Sequence, residues 1–297
     1  MPLIAIIVTF KFIINILPIQ SYLTPNSKVA PELKIMTYNV KVFGLYNWND
    51  NSIKPNILNL IKTENPDILC LQEAYWNNYN NNFITVDSIV QILNTKFIYK
   101  IPFTTAVGKQ NFGLVIVSKY PIINTFSQKF EKSSNGFAFA DVVKENDTIR
   151  IFNCHLQSIH FGKDDYAVIE QLNSDSIKNS EIKGFKNVLI KYLKSCRQRA
   201  TQADLLKNKI DSCNYQKFVC GDFNDIPNSY SYNQIKNNLS DSYVKRGHLS
   251  DFTWKYSKIK QRIDYIFFDD KYKCISHKVI KKNYSDHFAV VGEFCRR

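Results

Sequence analysis

The 297-residue chain contains no CxxC pair, no internal repeat and no Pro- or Gly-rich tract. Its seven cysteines are an odd number, which argues against a disulfide framework, and the missing CxxC pairs argue against a structural zinc site. No stretch between residues 33 and 297 has the composition of a linker. We therefore expect one globular domain with reduced cysteines, of which Cys70, Cys154 and Cys220 lie in apolar, strand-like runs.

The composition supports a large core and a polyanionic partner. Hydrophobic residues make up 44% of the chain and aromatic residues 14%, which is ample for a core. The formal net charge of +13 favours nucleic acid or an anionic membrane surface as partner. Because lysine outnumbers arginine and is spread over most of the chain, the charge by itself identifies neither partner.

Residues 3–19 are almost wholly apolar, with Lys11 as the main interruption. The run is close to the lower limit of about 17 residues for a membrane helix, and it lacks the basic region and the small-residue site of a cleaved signal peptide. Three interpretations remain open: an uncleaved anchor, the remnant of a longer membrane region, or an apolar segment packed on the domain. We assign residues 1–20 to a candidate anchor, 21–31 to a tether and 32–297 to the domain. An anchor would favour a domain outside the cytoplasm, although the free cysteines suit a reducing compartment.

The domain begins with a strand, a helix and a second strand. Leu33 to Val40 are predicted to form the first strand. Apolar residues recur at helical spacing from Ile53, and Asn65-Pro66-Asp67 ends this helix. The short apolar run Ile68 to Leu71 follows and leads directly into Gln72-Glu73. This order predicts a crossover unit whose second strand is buried on both faces and ends at Glu73.

Further strands and one long helix follow. Apolar runs predict strands over Phe112 to Ser118, Phe137 to Val143 and Thr148 to Leu156. From Leu189 to Ile210, apolar or small residues recur at intervals of three and four, which predicts an amphipathic helix. We expect its other face to be solvated; that face holds Lys191, Lys194, Arg197, Arg199 and Lys207.

The stretch from Phe218 to Asp225 predicts a buried strand that turns at Gly221. If the segment is extended, Asp222 and Asn224 lie on one face and Phe223 enters the core on the other. An acid and an amide aimed at the same rim could align a water molecule and hold an oxyanion. On the octet alone, a turn rich in Asp and Asn that leaves a strand is the favoured interpretation, because such turns are common.

Polar residues stand at the ends of several predicted strands. Each has a structural explanation when taken singly, because Asp and His are common in turns and hydrogen-bonded corners. The set comprises Asn39, Glu73, His155, Asp222, Asn224, Asp264, Asp286 and His287. The sequence motifs that contain them are, in order, Thr-Tyr-Asn, Leu-Gln-Glu, Asn-x-His-Leu-Gln, Gly-Asp-Phe-Asn, Arg-Ile-Asp-Tyr-Ile and Ser-Asp-His. Over residues 33–294 this order resembles the endonuclease/exonuclease/phosphatase superfamily, which includes DNase I.

The resemblance implies an α/β fold, a four-layer sandwich of two packed mixed β-sheets flanked by helices. It implies hydrolysis of a phosphodiester with a divalent metal. Carboxylate and amide oxygens without a thiolate suit Mg²⁺ or Mn²⁺. Glu73 matches the principal metal ligand of the family, with Asn39 beside it and Asp286 as a second acid.

The same resemblance assigns the catalytic residues. Asp222 would orient or deprotonate the attacking water, and Asn224 would hold the phosphate or the developing oxyanion. His287, paired with Asp264, would donate hydrogen bonds to phosphoryl oxygens as an imidazolium. His155 would be a further donor or acid, and the leaving-group acid stays open between the two histidines.

The substrate class also stays open. The His155 motif is typical of sphingomyelinase-, deadenylase- and DNase I-like members and disfavours abasic-site repair. The stretch from Asn153 to Tyr166 is similar to bacterial members with N-terminal membrane segments. The charge favours nucleic acid, whereas an anchor through residues 3–19 favours a phospholipid headgroup, and we expect a monomer in either case. A catalytically silent binding protein with the same fold is the alternative, against which stands the presence of Glu73, Asp222 and His287.

Overall fold

The computed structural model describes residues 13, 15–23, 29–47, 50–77, 86–106, 110–159, 161–171, 179–257 and 259–297. The strands are β1 (Leu33–Asn39), β2 (Ile68–Asn77), β3 (Phe97–Ala106), β4 (Gln110–Ser118), β5 (Ile122–Lys129), β6 (Gly136–Lys144), β7 (Asp147–His155), β8 (Gln216–Asp222), β9 (Ser240–Asp241), β10 (Trp254–Tyr256), β11 (Ile259–Gln261), β12 (Asp264–Phe268), β13 (Tyr272–Ile280) and β14 (Ala289–Arg296). The helices are α1 (Ile19–Leu23), α2 (Ile53–Glu64), α3 (Val86–Ile92), α4 (Lys163–Gln171), α5 (Asn179–Asp211), α6 (Tyr230–Lys236) and α7 (Ser242–Arg246), with a 3₁₀ turn at Lys41–Gly44.

The strands form two six-stranded sheets and a small hairpin. The first sheet has the order β13-β14-β1-β2-β4-β3, and the second has the order β5-β6-β7-β8-β12-β9. Both sheets are mixed, because β1 pairs with β2 and β7 pairs with β8 in parallel while the other pairs are antiparallel. Strands β10 and β11 form the hairpin. Two mixed sheets flanked by helices confirm the predicted fold class.

The strands are apolar on both faces because both faces are covered. In β1, Ile35 faces the space between the sheets, whereas its neighbour Met36 packs toward α2. The core between the sheets includes Ile35, Ile68, Cys70, Ile151, Phe218, Cys220, Ile266 and Phe294. The predicted burial of Cys70, Cys154 and Cys220 is confirmed.

Helices cover the outer face of each sheet. On the first sheet, α2 and α3 contribute Ile57, Ile61, Val86 and Ile89 to a buried cluster with strand residues such as Leu69 and Val117. On the second sheet, α5 and α6 contribute Ala203, Leu206, Ile210 and Tyr232, which pack on residues such as Phe152 and Val219. The domain therefore has four layers in the order helices, first sheet, second sheet, helices.

Helix α5 matches the predicted periodicity only in its C-terminal half. There Ala203, Leu206 and Ile210 are buried, whereas Leu189 and Leu193 are exposed by 42% and 47%. The N-terminal half packs beside the short helix α4, where Lys191 pairs with Asp165. A small helix offers too little surface to cover the whole apolar stripe.

The described part of the N-terminal segment packs on the domain. Arg262 Nη2 donates to the Asn15 carbonyl at 2.7 Å, and the Tyr243 hydroxyl donates to the Ile16 carbonyl at 3.2 Å. Residues 21–23, which the sequence assigned to the tether, lie in α1 and contact α7. For these residues the structure agrees with the third interpretation, an apolar segment packed on the domain. Residues 1–12 lie outside the described part of the chain. No helix among the described residues is long and apolar enough to span a membrane.

Candidate active site

Four strand ends bring the predicted residues together at one end of the sandwich. Asn39 ends β1 and is in register with Gln72 of β2, so Glu73 lies beside it. In the second sheet Asp222 is opposite His155 in the parallel pair and opposite Asp264 in the antiparallel pair. The two sheets therefore deliver acids and histidines to the same edge from residues far apart in sequence.

Gly221 allows β8 to approach β7 immediately before Asp222. Its φ of +142° lies in a region that L side chains rarely adopt. A Cβ at this position would also collide with the carbonyl oxygen of Cys154. The glycine therefore sets the register in which Asp222 meets His155.

The prediction that the second strand ends at Glu73 is wrong. Strand β2 continues to Asn77, and its pairing with β4 is interrupted between Leu71 and Ala74. Glu73 sits in this bulge with φ of +48°, a strained value of the kind that concentrates at functional sites. The bulge, rather than a strand end, is what places the Glu73 carboxylate at the rim.

Gln72 and Asn153 join the two sheets beneath the site. Gln72 Nε2 donates to Asn153 Oδ1 at 2.7 Å, and Asn153 Nδ2 donates to the carbonyls of Leu71 and Val115, each at 3.0 Å. Both side chains are fully buried. The sequence motifs contain these residues, but only the packed sheets show that they fix the spacing between the two halves of the site.

Asp222 is the hub of the polar cluster. Asn39 Nδ2 donates to Asp222 Oδ2 at 3.0 Å and to Glu73 Oε1 at 3.1 Å. His155 Nε2 lies 3.5 Å from Asp222 Oδ2 and 3.8 Å from Glu73 Oε1, and His287 Nε2 lies 3.6 Å from Asp222 Oδ2. One carboxylate oxygen of Asp222 thus faces both histidines.

The predicted pairing of His287 with Asp264 is present. His287 Nδ1 lies 3.0 Å from Asp264 Oδ2 and 3.1 Å from Oδ1. Burial opposes the charged imidazole, but the carboxylates of Asp264 and Asp222 outweigh it and raise the pKa of His287 to about 10. Burial likewise raises the pKa of Asp264, to about 6, with Asp222 adding to the rise and His287 opposing it. At neutral pH the pair is an imidazolium and a carboxylate.

Asn224 holds Asp222 in place. Its backbone N–H donates to Asp222 Oδ1 at 2.8 Å, and its side-chain Nδ2 donates to the Leu156 carbonyl at 3.0 Å. One N–H of the amide is therefore committed to the protein. Its predicted contact with a phosphate would use the other.

Asp286 pairs with a lysine. Lys41 Nζ lies 2.8 Å from Asp286 Oδ2. Burial opposes ionisation of Asp286, but His287 and Lys41 together lower the pKa of its carboxyl. A carboxylate already neutralised by an ammonium group is a weaker candidate metal ligand than Glu73.

Two groups of residues offer ligand atoms for a cation. Ligand atoms of Asp222, Asp264 and His287 lie within 4.8 Å of one another. An imidazolium cannot ligate a metal, however, and Nδ1 of His287 is already bonded to Asp264. Glu73 offers carboxylate oxygens at the rim, and no lysine or arginine among the described residues pairs with it. Asn39 is fully buried beside it, and its Oδ1, which accepts from the Lys41 backbone N–H at 3.1 Å, is the further oxygen donor. This donor set fits a hard divalent cation.

Arg199 supports the segments behind the site, and the prediction that it lies on the solvated face of α5 is wrong. It is fully buried, and its Nε lies 3.1 Å from Asp225 Oδ2 in an ion pair. Arg199 Nη1 donates to the Gln157 carbonyl at 3.1 Å. The side chain thus links the segments that follow His155 and Asp222. A signal was present, because position 199 lies three residues after Cys196 and four before Ala203, on the apolar stripe itself.

A pocket of about 330 Å³ opens beside the cluster. One side of it is polar and carries the catalytic candidates, including Glu73, Asp222 and His287. The other side is apolar and aromatic; it is lined by Ile159, Phe161, Tyr166, Ile169, Trp254, Ile259 and Ile263. No sequence motif indicates this second side, because its residues come from two segments, 159–169 and 254–263, that are far apart in the chain.

Comparison with known proteins gives a family match and a set of similar folds. The model of the Endonuclease/Exonuclease/phosphatase family matches residues 36–287. No curated protein matches the chain. A family match over most of the domain agrees with the motif order from Asn39 to His287.

Three solved structures illustrate the fold similarity. An endonuclease/exonuclease/phosphatase family protein from Bacteroides thetaiotaomicron has a TM-score of 0.63 at 16% identity, covering 90% of this chain and 98% of that one. Humanized D. rerio TDP2 has a TM-score of 0.62 at 15% identity, with 89% and 98% covered. The human Nocturnin catalytic domain with bound sulfate anion has a TM-score of 0.61 at 18% identity, with 90% and 94% covered. At these identities the similarity establishes the fold.

Proposed function

This chain belongs to the endonuclease/exonuclease/phosphatase family, and we propose that it is a divalent-metal-dependent phosphodiester hydrolase. The observation that carries the proposal is the convergence on Asp222 of three side chains: Asn39, which also donates to Glu73, His155 from the second sheet, and His287 from the segment before β14 of the first sheet. The structure of the human Nocturnin catalytic domain contains a sulfate anion, which has the shape and charge type of a phosphoryl group.

Asp222 is the proposed general base. It is buried, yet it lines the pocket, and its two oxygens are oriented by the Asn39 amide and the Asn224 backbone N–H. A carboxylate fixed in this way can align a water molecule and accept its proton as the water attacks phosphorus. The side chain needs no movement before the reaction, which lowers the reorganisation that the attack requires.

His287 is the proposed electrostatic stabiliser. Its raised pKa keeps it an imidazolium at neutral pH, and its Nε2 faces the pocket beside Asp222 while Asp264 holds Nδ1. An N–H from a fixed cation is suited to the charge that develops on a phosphoryl oxygen. His155 stands on the other side of Asp222, next to Glu73, as the second proposed donor.

Glu73 and Asn39 are the residues that would hold Mg²⁺ or Mn²⁺. A cation bound there would polarise a phosphoryl oxygen and neutralise charge in the transition state. Asn39 would then contact the cation through Oδ1 while its Nδ2 donates to Asp222 and Glu73.

The test is hydrolysis by the purified full chain. We expect release of p-nitrophenol from bis(p-nitrophenyl) phosphate and nicking of supercoiled plasmid in Mg²⁺ or Mn²⁺, with both activities lost in EDTA. Asp222→Asn should abolish them, and Asp270→Asn, an exposed acid outside the site, is the matched control. Activity that survives EDTA, or equal rates for Asp222→Asn and the unmodified chain, would contradict the proposal.

A further inference from the structure

Tyr166 and Trp254 line the aromatic side of the pocket, and together with Tyr256, which lies outside the lining, they form a stack of nearly parallel rings. Tyr166 of α4 and Tyr256 of β10 have ring centroids 3.7 Å apart and planes 20° apart. Trp254 lies at 13° to Tyr256 and 32° to Tyr166, with both centroids at 6.3 Å. Phe161 meets Tyr166 edge-on at 5.6 Å. All four rings remain partly exposed although they adjoin buried residues.

The hairpin that carries two of these rings turns its charges away from the pocket. Trp254 and Tyr256 alternate with Lys255 along β10, and Lys255 is opposite Lys260 of β11. Both lysines are exposed, whereas Trp254, Ile259 and Gln261 line the pocket. No lysine or arginine lines this pocket among the described residues. Apart from His287, the described lining of the pocket thus offers no cation for a polyphosphorylated headgroup.

Resting on the proposed function, we infer that the substrate is a phosphoester whose organic group carries a flat aromatic ring, held against Tyr166 and Trp254, with Tyr256 supporting Tyr166 from outside the pocket lining. The ring could be a nucleotide base or an aryl group, since both present the same planar face. The phosphate would lie at the polar side, with the ring at the other end of a pocket whose volume suits a single ring and its linker.

The arrangement of the rings favours a planar ligand over a choline group or an alkyl chain. Cages for quaternary ammonium ions surround the cation with several open ring faces. Here Tyr166 and Tyr256 already cover each other's inner faces, and the planes of all three rings are within 32° of parallel. A further flat ring would extend such a stack, and stacking of a base on a protein ring contributes about 1–3 kcal/mol, which is roughly a 5- to 150-fold gain in affinity.

Calorimetric titration of the full chain in Mg²⁺ tests the inference directly. Four probes share a phosphate monoester and differ in the organic group: phenyl phosphate, thymidine 5′-phosphate, glycerol 3-phosphate and phosphocholine. We expect the two aromatic probes to bind about tenfold more tightly than glycerol 3-phosphate. The relative affinity of phenyl phosphate and thymidine 5′-phosphate distinguishes an aryl group from a base.

Variants assign the preference to the stack. Tyr166→Leu should remove it, and Tyr256→Leu should weaken it because Tyr166 loses its stacking partner. Tyr166→Phe, which keeps the ring, and Tyr215→Leu, a tyrosine at the opposite end of β8, should retain it. Trp254 is avoided because its backbone bridges His287. Equal binding of the four probes, no binding of any, or tightest binding of phosphocholine would overturn the inference. If the chain hydrolyses bis(p-nitrophenyl) phosphate but binds the four probes without an aromatic preference, only the role of the stack is overturned. If the aromatic probes bind more tightly but no ester is hydrolysed, only the proposed activity is overturned.

Discussion

Two of the buried histidines, His287 and His277, are held in opposite charge states. His287 contacts Asp264 and faces Asp222, and its pKa rises to about 10. His277 of β13 lies 2.9 Å through Nδ1 from the Ser242 hydroxyl, and its Nε2 has no hydrogen-bond partner among the described residues. Burial lowers the pKa of His277 to about 4, with the positive charge of Arg262 adding to the fall against Asp241 and Asp251.

The comparison separates burial from charge. Both rings are removed from water, which alone disfavours the imidazolium. Two carboxylates within 3.6 Å reverse that preference at His287, whereas a neutral hydroxyl leaves it intact at His277. The charged histidine lines the pocket and the neutral one fills the core between α7 and β13. A buried histidine is therefore informative about catalysis only together with its carboxylate partners.

The largest expected effect follows from removing the carboxylate that both catalytic histidines face. Asp222→Asn keeps the size of the side chain but removes the proposed base, so kcat for bis(p-nitrophenyl) phosphate should fall by about 10⁴-fold. The Asn39 and Asn224 contacts make misfolding the competing explanation. Near-ultraviolet circular dichroism should therefore be unchanged, and a kcat within tenfold of the unmodified chain would rule out Asp222 as the base.

Asp264→Asn turns His287 toward the state of His277. In the unmodified chain the raised pKa keeps the imidazolium through neutral pH, so the rate should decline on the alkaline side only as the pH approaches about 10. Without Asp264 the alkaline decline should move to lower pH, and the rate at pH 8 should fall by about 10³-fold. The pH-rate profile checks this, with Asp269→Asn as a control. An unshifted alkaline limb would mean that Asp264 does not set the charge of His287.

His277 should make the fold sensitive to acid. Its pKa is lower in the folded chain than the ordinary value of 6.5. Above pH 6.5 the imidazole is neutral in both the folded and the unfolded chain, so its titration does not affect the free energy of unfolding. As the pH falls from 6.5 toward 4, the unfolded chain binds a proton that the folded chain does not, and stability is lost, on the order of 3 kcal/mol in total. His277→Gln removes this titration and should flatten the loss in urea unfolding measured between pH 7 and 4. If the free energy of unfolding fell equally with pH in the unmodified chain and in His277→Gln, the conclusion that His277 is buried in its neutral form would be contradicted.

Lys41→Ala should have the smallest effect. Lys41 neutralises Asp286, which in turn raises the pKa of His287. The lysine side chain is 57% exposed, so the ion pair should contribute no more than about 1 kcal/mol to unfolding, as urea denaturation would show. Freed from Lys41, Asp286 should bind Mn²⁺ more tightly in a calorimetric titration. A large loss of stability would show that the pair is structural.

The sequence predicted the features that depend on local spacing. The alternation around Asp222 placed that acid at a strand end with Phe223 in the core, and both positions are confirmed. The spacing of three and four in α5 located the buried Ala203 and Leu206. The order of the motifs indicated the family resemblance and, through it, the fold class. Motifs such as Gly-Asp-Phe-Asn are contiguous, so they can be identified without knowing which residues they contact.

Contacts between distant segments could not be found in this way. The bulge at Glu73, the pairing of Lys41 with Asp286 and the burial of Arg199 each depend on which element lies opposite. The aromatic stack likewise joins Tyr166 of a helix to Trp254 of a hairpin.

The sequence by itself therefore determined the fold class and the candidate catalytic residues, whereas the tertiary structure decided their charge states and the chemistry of the pocket wall. Short-range periodicity reports only which face of an element is apolar. The pKa of His287 and the stacking of Tyr256 arise from groups brought within a few ångströms by pairing across the two sheets and their flanking loops. Electrostatic and stacking energies depend on those distances, which no local pattern encodes.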